Sequence, residues 1–335
     1  MKEATEIVFI NEKPEKIGYS VILSMYQGKW VFVKHKERDT YEIPGGRIEE
    51  NETPLDTAKR ELYEETGAKT FTIREISYYG VQRSGDNNFS YGGLFFANIT
   101  ELDDLPEFEM AERIFADILP ENMTYTDIQP TLHKKGLEWL DENSTDIYMV
   151  RHAKPDYTHE DDATRPLLPE GMEAAEKLVD LFEDIHIDAA YSSPYQRSVD
   201  TIRPVCRAKS LLITTEYDFR ERKMGERWIS DSAFKTFAFD QWQDMDYKIE
   251  DGESLRMVQQ RNINALNSVI KANEKKSIII GTHGTALSTI LNFYYPDFGY
   301  EKSEQMKPKL PYIFKLRFLA DEFICGIEIP MDNIL

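Results

Sequence analysis

Residues 46–68 read GRIEENETPLDTAKRELYEETGA, and this stretch decides how the first part of the chain is built. Thr53 can cap a following helix, Pro54 suits its first turn, and Asp56 stands at its third position. Gly67 supplies a left-handed stop after Thr66, so the pattern predicts a helix over 54–66. Leu55, Ala58 and Leu62 share one face and are expected to pack inward. Glu61, Glu64 and Glu65 lie at i, i+3 and i+4, which brings their side chains to one patch. Carboxylates held so close repel one another. Mg²⁺ or Mn²⁺ removes the conflict by taking carboxylate and phosphate oxygens together. Arg60 and Glu52 can pair across the loop, and Gly45 and Gly46 let the backbone turn tightly beside the patch. The alternative is a solvated acidic face, common in so acidic a chain.

Working outward, IGYSVILSM and KWVFVKH flank a short QGK turn and predict a hairpin. FTIREISYYGV and YGGLFFANI predict further strands on either side of a polar SGDNN loop. DIQPTLHKKGLEWLDEN reads as a closing helix with Leu132, Leu137 and Leu140 on its apolar side. Asp141 to Thr145 then reads as a short linker.

The spacing at Gly46, Glu52, Arg60, Glu61, Leu62, Glu64, Glu65, Gly67 and Ala68 matches every defined position of the Nudix box, G-x5-E-x7-R-E-U-x-E-E-x-G-U. The first part of the chain thus resembles the Nudix hydrolases. The resemblance implies an α/β/α sandwich with a mixed sheet. It also implies metal-dependent attack of water on a pyrophosphate linked to a nucleoside or similar group. Glu61, Glu64 and Glu65 would hold the metal, and one of them would help to activate the water. Gly46, Glu52, Arg60 and Gly67 are the structural positions of the motif. Glu109 or Glu112, in EFEMAERIF, could add a ligand or base, although a surface glutamate is the more ordinary reading.

From Asp146 the texture changes. DIYMV, IDAAYS and SIIIG alternate with helical stretches over EGMEAAEKLVDLFED, from Pro194, and over ALSTILNFY. That alternation predicts an α/β layer fold with a largely parallel sheet. A two-domain division, 1–142 and 143–335, follows, and 335 residues is long for a single core.

Polar residues at the carboxyl ends of parallel strands face the crevice where such folds bind ligands. Arg151 and His152 follow the first strand, Arg197 stands just inside a helix after another, and His283 and Gly284 follow a third. The helix start at Gly284 can offer backbone N–H groups to a phosphate. Arg151 and Arg197 can clamp phosphate oxygens. Neighbouring positive charge keeps His152 neutral and nucleophilic. His283 can stabilise the transferring phosphoryl group, and Glu221 can protonate the leaving alcohol and then activate water. The KMGE segment after Glu221 lets it swing over a held phosphate, with Glu226 and Glu253 as substitutes.

The pieces VRHAKP, RPLLPEG, YSSPYQRSVDT, DFRERKMGE, DGES and GTHGT jointly resemble the histidine phosphatase (phosphoglycerate-mutase-like) superfamily. The resemblance implies a second α/β/α sandwich with a mostly parallel sheet and a phosphohistidine formed without a cofactor. One departure is Ala153, where the family carries glycine after the nucleophile. His35, His133 and His186 receive no role, and His159 could at most line the entrance.

A net charge of −20 disfavours nucleic acid and anionic membrane surfaces as partners and makes local cations or metals necessary for an anionic substrate. Cys206 and Cys325 lack ligand-like spacing, no signal-peptide pattern is seen at the start, and no apolar run approaches membrane-spanning length. A cytoplasmic protein with small-molecule substrates is expected. The order of the two resemblances is similar to that of mycobacterial MutT-type two-domain hydrolases. That implies 8-oxo-guanine nucleotides or dinucleoside polyphosphates as substrates, while ADP-ribose and NADH stay open. Two other readings stand beside it: a phosphoglycerate-type mutase in the second domain, or a nucleotide sensor with one inactive domain. The segment Met224–Asp251, with Trp228, Phe234, Phe237, Phe239 and Trp242, suits an aromatic-lined phosphatase pocket better than a mutase lid.

Overall fold

The computed structural model describes residues 5–225 and 231–331. Trp228 and Glu226 therefore lie outside the described residues. Contacts divide the chain into two units, Met1–Asn143 and Ser144–Leu335.

The first unit runs β1 (Glu6–Ile10), β2 (Tyr19–Tyr26), β3 (Lys29–His35), β4 (Tyr41–Glu42), β5 (Gly45–Arg47), α1 (Pro54–Thr66), β6 (Ala68–Gln82), β7 (Ser90–Leu102), β8 (Met110–Ala116) and α2 (Gln129–Asn143). The expected hairpin forms because Gln27 and Gly28 both take positive φ, 50° and 80°, the geometry of a two-residue turn matched to strand twist. Beyond it β2 pairs parallel with β7 on one side and antiparallel with β5, so the eight-stranded sheet is mixed.

Alternation along the strands gives the sheet two apolar faces. Ile22, Val31, Phe95 and Ile99 pack with Ala58 and Leu62 of α1. On the other face Trp30 meets Phe96 and His133, and Phe96 meets Trp139, the last two partners lying on α2. This is an α/β/α sandwich.

Three local expectations need correction. Leu55 is 39% exposed, because it occupies the first turn, outside the stripe that Pro54, Ala58, Leu62 and Thr66 bury at intervals of four. Leu137 is equally exposed: the buried row of α2 is Leu132, Gly136 and Leu140. Glycine serves at 136 because a Cβ there would meet a methyl carbon of Leu23. The expected linker over 141–145 is absent, since α2 runs to Asn143 and the next strand starts at Ser144.

The second unit runs β9 (Ser144–Arg151), α3 (Pro169–Leu181), β10 (Ala189–Ser192), α4 (Gln196–Ala208), β11 (Ile213–Thr215), a 3₁₀ turn (Tyr217–Phe219), α5 (Asp231–Gln243), α6 (Leu255–Ala272), β12 (Ser277–Thr282), α7 (Gly284–Tyr294), α8 (Tyr300–Met306), β13 (Tyr312–Leu319) and β14 (Glu322–Ile329). The strand order is β11-β10-β12-β9-β13-β14. The first four strands are parallel, and the β13–β14 hairpin joins antiparallel. Ile147, Met149, Ile278 and Ile280 face α6 and α7. Tyr148, Val150 and Ile279 face α3 and α4. The strands are apolar on both faces, as a sheet covered on both sides requires. Their carboxyl ends converge on one crevice.

Candidate active sites

The crevice of the second unit is made by the residues that follow three parallel strands: His152 after β9, Ser193 after β10 and His283 after β12. Backbone bonds join them, His152 N–H to Thr282 O and Ser193 N–H to Gly281 O. The rings of His152 and His283 lie 5.3 Å apart, both buried. Burial first, then the Arg197 guanidinium, hold both imidazoles well below their ordinary range, so both are neutral. His152 Nδ1 lies 2.7 Å from Ala153 O, which can only accept. The proton is therefore on Nδ1 and the lone pair on Nε2. That is the tautomer a nucleophile needs.

Arg151 and Arg197 are 7% and 3% exposed. Arg151 does not present a full fork, because its Nη1 donates to the carbonyls of Met306 and Lys307. Its Nε is buried without a partner among the described residues, as is Nδ1 of His283. Gly284 permits this placement: a Cβ there would stand 3.3 Å from Arg151 Nε. Arg197 is anchored through Nη1 to Asp162 and covers the ring of Tyr195, which in turn packs on His283.

Glu221 differs from its expectation. One oxygen accepts from Thr285 N–H at 3.0 Å, at the start of α7, and the other from Arg222 N–H at 2.7 Å. It is held beside the helix start rather than free to swing, and it, not an incoming anion, takes one of the N–H groups there. Glu253 is no substitute acid: Arg220, Arg261 and the Lys223 N–H already occupy it. His159 bonds Thr164 in an exposed loop, outside the crevice contacts. Of the aromatic segment, Phe234 and Phe237 sit against the buried Arg222, whereas Phe239 is 45% exposed and meets Tyr300.

Reading the sequence missed Asp162, Ser193 and Thr201. Ser193 bonds His283 Nε2 at 2.7 Å, and Thr201 accepts the Ala153 N–H. Ser193 and Thr201 lie inside YSSPYQRSVDT, so that signal was present; Asp162 lies in an acidic loop whose partner only folding supplies.

In the first unit, α1 starts with the expected cap at Thr53, which the structure completes as a capping box with Thr53 and Asp56 bonding each other reciprocally, and ends at Gly67 with φ 71°. Arg60 donates to Glu52, Glu61 and Glu64 at 2.8–3.1 Å. With Thr57, it holds the Glu52 carboxyl down at about 2. The repulsion among the glutamates is thus partly relieved by Arg60. Glu65, close enough to Glu61 for the two charges to repel, accepts the Gly45 N–H at 2.8 Å, and burial raises its carboxyl well above the ordinary range. Burial also raises Glu61. A Cβ at Gly46 would overlap the Glu61 carboxylate. Among the described residues no three acidic, histidine or cysteine side chains converge as a ready metal-ligand group.

A cleft of about 490 Å³ opens beside these residues, lined in part by Gly45, Gly46, Glu65, Glu42, His35 and Glu109. Glu109 reaches it and lies 3.7 Å from His35, whereas Glu112 pairs with Lys34 at 2.6 Å. His35, given no role from sequence, is therefore in the cleft. Glu42, also missed, is buried there against Arg38. His133 stays structural, packed on Trp30 at 4.7 Å, and His186 pairs with Asp188 on the surface.

The model of the histidine phosphatase superfamily (branch 1) matches residues 147–323, more than half of the chain, and the chain belongs to that superfamily. Its first unit carries a NUDIX domain, matched over residues 14–112. The chain is 32% identical over 104 residues to YtkD of Bacillus subtilis (strain 168), which bears a provisional 8-oxo-dGTP diphosphatase name; the match covers 31% of this chain and 64% of that protein. It is 35% identical over 83 residues to the RNA pyrophosphohydrolase of Bartonella henselae, covering 22% and 48%. The chain thus spans between about half and just under two thirds of the length of these curated relatives. Among solved structures, mycobacterial hydrolase 1 aligns over 56% of this chain and 97% of its own, with 15% identity and a TM-score of 0.45. Bacillus stearothermophilus YhfR aligns over 53% and 94%, with 21% identity and a TM-score of 0.46. Likenesses at that level carry no argument about function. No helix among the described residues is long and apolar enough to cross a membrane.

Proposed function

We propose that the chain is a bifunctional phosphohydrolase with two separate active sites, in domains 1–142 and 143–335. The first cleaves the phosphoanhydride of a nucleoside polyphosphate, and the second hydrolyses a phosphomonoester through His152. The observation that carries the second assignment is the pair of buried nitrogens without partners among the described residues, Arg151 Nε and His283 Nδ1, beside a neutral His152. Buried polar groups without partners are costly; a phosphate oxygen satisfies Arg151 Nε, and also His283 Nδ1 when Ser193 donates to Nε2 and the ring proton sits on Nδ1.

In this mechanism Arg151, Arg197 and His283 hold the phosphoryl oxygens. His152 Nε2 attacks phosphorus, the bond to the leaving oxygen breaks, and Glu221 gives that oxygen its proton. Water then attacks the phosphohistidine, Glu221 takes the water proton, and His152 and orthophosphate are released. No cofactor enters these steps.

In the first unit the donor chemistry fits a hard divalent cation, because Glu61 and Glu65 are carboxylates deprived of water beside a cleft. Glu61, Glu64 and Glu65 would hold Mg²⁺ or Mn²⁺, Glu64 or Glu65 also serving catalysis, which requires Glu61 and Glu64 to give up part of their pairing with Arg60. The ion, when bound, neutralises phosphate charge and makes the anhydride electrophilic. Gly46 keeps the Glu61 carboxylate in place, and Glu52 and Gly67 with Arg60 hold the helix.

Small nucleotides, including 8-oxo-guanine nucleotides and dinucleoside polyphosphates, are the substrates of this reading; the net charge of −20 argues against a nucleic acid or a membrane surface. The two unpaired cysteines agree with a cytoplasmic enzyme. The deciding experiment supplies Mg²⁺ and a panel that includes nucleoside triphosphates, 8-oxo-dGTP and 5′-triphosphate RNA, and follows orthophosphate and pyrophosphate separately. A chain that binds but turns over neither an anhydride nor a monoester defeats the proposal. Transfer of the phosphate between hydroxyls without release would favour a mutase.

A further inference from the structure

Four residues lie on one row across the sheet of the first unit. Arg47 of β5 pairs with Tyr19 of β2, Tyr19 with Gly92 of β7, and Gly92 with Tyr79 of β6. Residues directly opposite one another share a face. The row begins next to Gly46 and ends three strand spacings away, about 14 Å. Arg47, Tyr19 and Tyr79 all line the cleft.

The two ends of the row have unmet chemistry. Arg47 lies over the Tyr19 ring, 5.8 Å from its centre, and its guanidinium has no ion pair among the described residues. In a chain with 60 acidic residues an unpaired guanidinium beside a phosphate-cleaving patch is suited to an anion. At the far end Tyr79 is 5% exposed, and its hydroxyl has no hydrogen-bond partner among the described residues. The hydroxyl is not among the fully buried unpartnered atoms and opens to the cleft, where a ligand can meet it. Gly92 is what lets the ring lie there, since a Cβ at 92 would stand 2.5 Å from the Tyr79 hydroxyl oxygen. Burial raises the Tyr79 pKa, so the group stays a neutral O–H able to donate and accept.

We propose that Tyr79 determines base specificity in the first unit, its hydroxyl bonding the polar edge of a nucleobase whose polyphosphate lies along Arg47 at the glutamate patch. The Tyr79 ring itself covers Gly92, so a ribose attached to those phosphates would lie between the Arg47 guanidinium and that ring, and leaves the base for the Tyr79 hydroxyl. The inference rests on the reading of this unit as a nucleotide hydrolase and adds the group that is recognised.

The test uses the full chain with Mg²⁺ and the triphosphates of guanosine, adenosine, cytidine and uridine. Tyr79→Phe removes only the hydroxyl. It should lower kcat/KM for the preferred base about tenfold, the loss of one hydrogen bond, and bring the ratios among bases toward one. Inhibition by inorganic tripolyphosphate should not change, and Tm should hold, because the hydroxyl makes no hydrogen bond within the described protein. Gly92→Ala, which displaces the ring, should give the same selective loss. An active wild type with unchanged base ratios in Tyr79→Phe overturns the proposal alone. An equal loss for all four bases overturns it in favour of a sugar contact. A wild type inert toward every nucleotide overturns it together with the reading beneath it.

Discussion

His152 is neutral because it is buried between two guanidinium groups, and its chemistry depends on that state. The unfolded chain has an ordinary imidazole that binds a proton below about pH 6.5, whereas the folded one resists. Stability is thus fully present above that pH and falls as pH drops through it, by about 1.4 kcal/mol per pH unit for one proton. Replacing His152 by Asn should flatten the dependence of Tm on pH between 7.5 and 5.5, leaving the part due to His283. An unchanged slope would mean that His152 is protonated in the native protein. Glu221, with both oxygens on backbone N–H groups, gives a second expectation at this scale. Glu221→Gln should slow a nucleoside monophosphate far more than the phosphorylation of His152 by an aryl phosphate, whose leaving group needs no proton. Phosphohistidine should then accumulate, because water lacks its base. Equal slowing of both substrates without phosphoenzyme would remove Glu221 from the role.

Helix α1 is held at both ends by its own residues, and the patch on it is held by contact with the loop. Thr53→Ala removes one half of the capping box and should cost about 1 kcal/mol in urea unfolding of the first unit, with phosphoanhydride cleavage little changed in kcat. Gly46→Ala should do the reverse. The added methyl would overlap the Glu61 carboxylate and displace it, so cleavage should fall about a hundredfold for a shift on the order of 1 Å, while circular dichroism keeps its native form. If Gly46→Ala cleaves normally, the placement of Glu61 is not what the loop controls.

At the scale of the molecule the two units have separate cores, and each holds its own group of candidate site residues. Glu65→Gln should abolish most phosphoanhydride cleavage and leave monoester hydrolysis nearly intact. His152→Ala should lower the monoesterase by about a thousandfold or more and spare the other activity. The monoesterase should also persist in EDTA. Joint loss in either variant, with orthophosphate and pyrophosphate followed separately for each substrate, would show that the units do not act independently.

Local chemistry was legible in the chain itself. The cap at Thr53, the stop at Gly67, the spacing of Glu61, Glu64 and Glu65, and the alternation of apolar strands with helices after Asp146 are set by interactions within a few residues, so sequence alone determined them. Partners distant in sequence were not legible. That Leu137 faces out while Gly136 packs on Leu23, that Glu221 is pinned by Thr285, and that Arg151 spends one nitrogen on the carbonyls of α8 depend on which elements pack together. The same holds for the row from Arg47 to Tyr79, whose members are separated in sequence but aligned by strand register. Register and packing are decided by burial summed over the whole sheet, and no short stretch of residues carries that sum.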